Sequence, residues 1–205
     1  MSKNWSLAIV IAFVLGYSVK VFMDMQNDVA QQQQALATQQ IIKDPVLNGM
    51  DDTPTHIFNP DDNRIRVIYF GYTRCPDVCP TSLAMLSAAL NTITAEQLAQ
   101  LRPMFISIDP QRDEANAAHQ YAQYFHPTIE GFSASLEITK PLADHYGVIF
   151  QKTKLEDSAI EYVVDHSSYF YFLKPDGTLI TKVPHTLEPT PIVTAIEDIL
   201  KTNSI

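Results

Sequence analysis

The chain has 205 residues, 46% of them hydrophobic, and a formal net charge of −9. That acidity argues against a nucleic-acid-binding surface. Two cysteines are too few for a disulfide framework, and no paired C-x-x-C motifs point to a zinc ribbon. Lys3 and Lys20 balance Asp24 and Asp28 at the N-terminus, so the acidic excess lies beyond the first thirty residues.

In chain order, the first element is an apolar run over 5–23, near the ~20 residues that cross a bilayer. Lys20 lies close enough to its far end to snorkel. A cleaved signal peptide is the alternative, but no small-x-small site stands at the right distance; Ala35-Leu36-Ala37 is too far along. The absence of a cysteine after the run excludes a bacterial lipoprotein. The expectation is therefore an uncleaved transmembrane helix and membrane anchor over 1–24. Lys3 before the span, against Asp24 and Asp28 after it, orients the domain outward. In a bacterium that means the inner membrane, with the domain in the periplasm, where disulfides persist. A Gln-rich linker over 25–44 either extends the anchor helix or forms a tether. One domain occupies 45–205, long enough for a real core.

Within that domain, strands are expected over 66–70, 104–108, 150–155, 168–173 and 178–183. Helices are expected over 81–90, 95–101, 115–125, 140–146 and 191–201. Thr94 with Gln97 forms a capping box, and Asp113 is placed to cap the next helix. Lys174-Pro175-Asp176-Gly177 is a hairpin turn signal. Strands alternating with helices imply an α/β fold with a partly parallel sheet covered on both faces, made mixed by the closing hairpin.

The two cysteines stand four apart in Cys75-Pro76-Asp77-Val78-Cys79-Pro80, between the apolar run Val67-Ile68-Tyr69-Phe70 and a helix. Residues i and i+4 share one face of a helical turn, with Cβ atoms roughly 5–6 Å apart. Such a pair can close a disulfide or share a soft metal ion. A helix N-terminus favours thiolate, and Pro80 suits the first helical position. The alternatives are a structural disulfide, stabilising by about 2 kcal/mol for so small a loop, or two inert core thiols.

Six histidines are available as a third ligand. His119, His126, His56 and His145 occupy ordinary polar, loop or helix-end positions, and nothing in the context of His185 requires a ligand. His166 enters the apolar run Tyr169-Phe170-Tyr171-Phe172-Leu173. Alone it would read as a satisfied core histidine; beside two thiols it completes a three-donor soft site. Such a set selects Cu(I), and takes Cu(II) with a fourth, weak ligand; a structural zinc site would want four protein ligands. Asp165 is either a partner that orients the imidazole or a loop residue bonding its own backbone. Ser107-Ile108-Asp109-Pro110-Gln111-Arg112-Asp113, at a strand end, is either a ligand-gathering cluster or a plain strand-to-helix loop.

These residues resemble the Sco family of thioredoxin-fold copper proteins, named for synthesis of cytochrome c oxidase. The resemblance is carried by Phe70-Gly71-Tyr72-Thr73-Arg74-Cys75-Pro76-Asp77-Val78-Cys79-Pro80, by the Ser107-to-Asp113 motif and by Asp165-His166-Ser167. Tyr146-Gly147-Val148 and Leu173-Lys174-Pro175-Asp176-Gly177 fit the same pattern. It implies a thioredoxin-like fold with copper on Cys75, Cys79 and His166. The partners it implies are the copper-bearing subunit of cytochrome c oxidase and an upstream copper donor or thiol reductant. Family members carry a longer segment with a glycine turn before the first core strand; here 56–63 is short and lacks it, which puts an N-terminal hairpin outside the expected pattern. Three functions stay open: a metallochaperone, a thiol–disulfide oxidoreductase acting through Cys75 and Cys79, and a redox sensor.

Overall fold

The computed structural model describes residues 3–155 and 161–203. The chain divides into two compact units, 1–40 and 41–205. The first is the body of α1, which runs Lys3–Lys43 and takes in most of the Gln-rich segment. Among the described residues no helix is long and apolar enough to cross a membrane, so the span expected over 1–24 is not present among them. From Phe13 onward the described helix carries Lys20, Asp24 and Asp28. Most side chains of the preceding apolar run lie outside the described set.

The second unit is built on a five-stranded sheet. Its two central strands, β3 (Ile65–Gly71) and β4 (Leu101–Ser107), are buried at every position. Both are near-continuous apolar runs rather than alternating ones, the pattern of strands covered on both faces. They pair in parallel, and β4 pairs in parallel with β5 (Glu130–Phe132). On the other side β8 (Tyr169–Leu173) runs antiparallel to β3, and β9 (Leu179–Pro184) antiparallel to β8. The order is therefore β5-β4-β3-β8-β9, a mixed sheet of the expected thioredoxin-like kind. Pro103 is tolerated in β4 because β5 pairs only from Met104 onward. The turn between β8 and β9 is the one anticipated: Gly177 has φ +87°, and a Cβ there would meet Phe58 at 2.7 Å.

Helices α2 (Val78–Thr92), α3 (Ala95–Ala99), α4 (Ala115–Phe125), α5 (Leu136–His145) and α6 (Thr190–Asn203) connect or flank these strands. The Thr94–Gln97 capping box is present. Several assignments differ from expectation: α5 starts at Leu136 rather than 140 and β4 at Leu101 rather than 104, and three further differences bear on the site or the sheet. The first is α2, which starts at Val78, so Pro80 is its third residue; proline is still harmless there, because none of the first four N–H groups has a helical partner. Glu114, not Asp113, precedes α4; the Asp113 carboxylate is drawn to Thr73 and Ser107 instead. The last is β5, too short to announce itself in sequence.

Two small hairpins lie outside the sheet. The first, β1 (Val46–Asn48) with β2 (Pro54–His56), stands upstream of 56–63 and turns around Gly49. The second pairs β6 (Phe150–Lys154) with β7 (Tyr162–His166). The strand expected over 150–155 thus exists, but not in the main sheet. Its partner β7 reads in sequence as the run-in to β8. The loop 57–64 that leads into β3 is organised by Arg66, whose side chain is fully buried. Its guanidinium donates to the carbonyls of Ile57 (3.1 Å), Asn59 (3.0 Å), Asp62 (2.6 Å) and Arg64. A buried cation is tolerable only when so fully hydrogen-bonded.

Candidate metal centre

β3 delivers the chain to the cysteines, and α2 carries it away. Gly71, the last residue of β3, leaves the room in which Cys79 sits: a Cβ there would lie 3.0 Å from Cys79 Sγ and 2.9 Å from the Tyr69 ring. Cys79 is the second residue of α2 and is wholly buried; Cys75 lies ahead of the helix and is half-buried. The backbone N–H of Cys79 donates to Cys75 Sγ at 3.4 Å. Asp77, at the N-cap, makes no side-chain capping bond. A sulfur therefore serves where a carboxylate or hydroxyl usually would.

This asymmetry divides the protons. Cys75 is drawn down to about 3, first by the Cys79 thiol, with His166 and the N–H groups of Asp77 and Cys79 adding to it against the opposing effect of burial. Cys79 is pushed far up by its neighbour Cys75 and by burial. The pair shares one proton, with Cys75 as thiolate and Cys79 as thiol. The helix N-terminus does favour thiolate, as expected, but through the cysteine that precedes the helix.

His166 ends β7. Its Nε2 lies 3.4 Å from Cys79 Sγ, across 87 residues of chain. Its Nδ1 is 3.1 Å from the Ser167 carbonyl. A carbonyl only accepts, so the proton belongs on Nδ1 and the Nε2 lone pair faces the sulfurs. Tyr69 and Tyr72 hold the ring edge-on, each at 6.2 Å between centroids. Asp165 does not orient the imidazole: it is exposed and accepts from Thr153 Oγ1 at 2.5 Å across the β6–β7 ladder. Successive residues of a strand point in opposite directions, which takes the Asp165 carboxylate to Thr153 and leaves His166 Nδ1 to the Ser167 carbonyl.

The other histidines are elsewhere. His56 pairs with Asp44 at 2.6 Å, His126 with Thr128 at 2.8 Å, and His119 accepts the Gly131 N–H at 3.4 Å. His145 packs against the Tyr146 ring. His185 comes nearest in role, 2.8 Å from the hydroxyl of Ser82 on α2, but it is committed there. Sequence reasoning misses Tyr69 and Tyr72, which look like ordinary members of an apolar strand and its exit. Burial pushes the Tyr72 phenol up to about 12, so it stays protonated.

Cys75 and His166 open on a cleft of about 240 Å³ lined also by Tyr72, Pro76 and Asp165, while Cys79 is wholly buried and does not line it. Among the described residues no three His, Cys, Asp or Glu side chains form a ready-made metal cage. What the structure brings together is two sulfurs and an imidazole nitrogen in direct contact. Soft donors of this kind suit a soft ion. A reactive thiolate beside a buried thiol also suits disulfide exchange.

Comparison with known proteins points the same way. A family model described as SCO1/SenC matches residues 59–201. The Arabidopsis thaliana protein SCO1 homolog 1, mitochondrial, is 42% identical over 114 residues, 56% of this chain and 34% of that protein. A SCO2-like protein of Rickettsia conorii is 34% identical over 143 residues, 67% of this chain and 69% of that protein. Across the first three curated relatives the aligned stretch makes up 34–49% of their length, so the chain spans less than half of each. Among solved structures, Arabidopsis thaliana ScoI with copper bound superposes with a TM-score of 0.67 at 31% identity, over 76% of this chain and 96% of that one.

Proposed function

Since this chain belongs to the SCO1/SenC family, we propose that it is a copper chaperone that carries the ion on Cys75, Cys79 and His166. The observation that carries the reading is the approach of His166 Nε2 to 3.4 Å from Cys79 Sγ, 87 residues away in sequence, with Cys75 interacting with both. Copper is the cargo. The fit lies in the donor set: two sulfurs for Cu(I), with an imidazole that extends the set to Cu(II). Cys75 is already thiolate, so only Cys79 has a proton to release when the ion binds. The recipient in this reading is the copper-bearing subunit of cytochrome c oxidase, supplied by an upstream copper donor.

Redox state tests it. The full chain, reduced and purified in detergent, should take up one Cu(I) per molecule. After oxidation to a Cys75–Cys79 disulfide, uptake should vanish, because thiolates are the ligands. Equal uptake by both forms would remove the cysteines from the site.

Attachment to the inner membrane, with the cysteine-bearing unit in the periplasm, belongs to the same proposal. The apolar run 7–15 and the flanking charges of Lys3, Asp24 and Asp28 support it. After an alkaline wash, the protein should stay with the membranes and retain residues 1–30 by mass spectrometry. Release into the wash, or a mature N-terminus near Ala37, would overturn it.

A second reading is favoured by the unequal cysteines. The Cys75 thiolate can attack a disulfide in a partner; one partner sulfur leaves as thiolate and a mixed disulfide forms. Cys79, losing its proton, then attacks Cys75 Sγ and releases the partner's second sulfur. The partner gains two electrons, and this chain ends as the Cys75–Cys79 disulfide. Such a step would ready a recipient's cysteines for copper, so the two activities are compatible.

A further inference from the structure

The motif Ser107-to-Asp113 takes no part in the site described so far. Its carboxylates are among the most buried polar groups: Asp109 is 0% exposed and Asp113 1%. Their partners explain why. Asp113 accepts the backbone N–H of Thr73 at 2.8 Å and the Thr73 hydroxyl at 2.5 Å. Thr73 is two residues from Cys75, in the loop that presents both cysteines. Asp109 accepts the phenol of Tyr162 at 2.8 Å and pairs with Lys152 Nζ at 3.1 Å. Those residues belong to β7 and β6, the hairpin that ends in His166.

That hairpin needs fastening. It forms a two-stranded sheet of its own and adds no strand to the core, and an isolated pair is marginal in water. Arg112 completes the grip. It pairs with Asp109 at 2.5 Å, donates to the Tyr162 carbonyl at 3.0 Å, and lies 3.5 Å over the centre of the Tyr162 ring. Lys152 also donates to Gln111 at 2.6 Å. The segment between the two carboxylates is braced internally. The Ser107 hydroxyl donates to Asp113 at 2.7 Å and accepts from the Asp109 N–H at 3.1 Å, while the Asp113 N–H donates to the Asp109 carbonyl at 3.0 Å.

We propose that residues 107–113 form a bracket that sets the spacing between the thiols and the imidazole, with Asp113 holding the cysteine loop through Thr73 and Asp109 holding the His166 hairpin through Tyr162 and Lys152. These are positioning residues; they act on the metal only through Cys75, Cys79 and His166. The metal-binding consequence rests on the three-donor reading above, but the spacing itself does not.

The test uses the full chain with Asp109→Asn and Tyr162→Phe, the second losing only one hydroxyl and expected to fold whatever the first does. In the metal-free protein, amide exchange over 162–166 should quicken, and the nuclear Overhauser contact between Cys79 and His166 should weaken. Cu(II) affinity, which leans on His166, should fall about 10–30-fold in Asp109→Asn, the weight of the two links to Tyr162 and Lys152 together. In Tyr162→Phe it should fall about fivefold, the weight of one hydrogen bond. Cu(I) affinity should change less than Cu(II) affinity in both. Adding Tyr162→Phe to His166→Ala should weaken Cu(II) no further. A lowered melting temperature with unchanged exchange, contact and Cu(II)-to-Cu(I) ratio would reduce the motif to a plain structural loop. If His166→Ala alone left Cu(II) binding intact, the donor reading would fail, and the metal-free measurements would still decide the bracket.

Discussion

Replacing either cysteine by alanine should abolish tight Cu(I) binding by the reduced protein. Structural metal sites of four ligands bind with about 10–16 kcal/mol, so one ligand accounts for roughly 3–4 kcal/mol, or about 100- to 1,000-fold in affinity. The site has only two sulfurs, and a lone thiolate with an imidazole is a poor match for Cu(I). The fold should survive. Cys79→Ala removes one buried sulfur beside Gly71 and Tyr69, a small cavity costing on the order of 1 kcal/mol. Cys75→Ala removes the sulfur that accepts the Cys79 N–H, comparable to losing a helix cap at about 0.5–2 kcal/mol. Isothermal titration with a competing Cu(I) ligand, beside thermal melts, checks both. Wild-type Cu(I) affinity in a folded Cys79→Ala would exclude the buried sulfur from the site.

His166→Ala should divide the two oxidation states of copper. Two thiolates remain, so Cu(I) should still bind, weakened by less than about tenfold. Cu(II) prefers imidazole to a second soft donor, and its affinity should drop by about a hundredfold or more, the scale of one ligand lost. The ring is only half-buried and packs edge-on against Tyr69 and Tyr72, so the melting temperature should move little. His185→Ala is the matched control. It strips a partner from the buried Ser82 hydroxyl, costing on the order of 1 kcal/mol of stability, and should leave both copper affinities near wild type. Visible absorption of the Cu(II)–thiolate bond and competition titrations read the split. Unchanged affinities in folded His166→Ala would leave a plain dithiol and favour the disulfide-exchange reading.

Local chemistry makes much of this readable. The uninterrupted apolar runs of β3 and β4 mark buried parallel strands, because only strands covered on both faces dispense with alternation. The capping box at Thr94 and the turn at Gly177 are short-range signals, each complete within a few residues. Where reading fails, the deciding partner is distant. Asp113 looks like a helix cap because a carboxylate before a helix usually is one; Thr73 and Ser107 outcompete the helix for it. Asp165 looks like a support for His166 by adjacency, but the side chains of neighbouring strand residues diverge. β6 looks like a sheet strand, and nothing in its sequence says that its partner would be β7 alone.

The cysteine pair was decided by sequence. Four-residue spacing at a strand-to-helix junction keeps the two sulfurs near each other in the chain; because Cys75 lies ahead of α2, it is the Cys79 N–H at the start of the helix that holds the Cys75 sulfur there. Sequence context also singled out His166, but not its distance from the thiols. Nothing across the 87-residue separation fixes that distance, and only the folding of the chain brings Nε2 of His166 to 3.4 Å from Cys79 Sγ. The same holds for the proton that the thiols share. Both cysteines have the same side chain, and the difference between them comes from burial and from which N–H groups point at which sulfur. Those are properties of a folded environment. Strand and helix patterns arise from apolar periodicity within a segment, whereas polar partners are chosen among groups that the folding of apolar segments has already brought within about 3 Å.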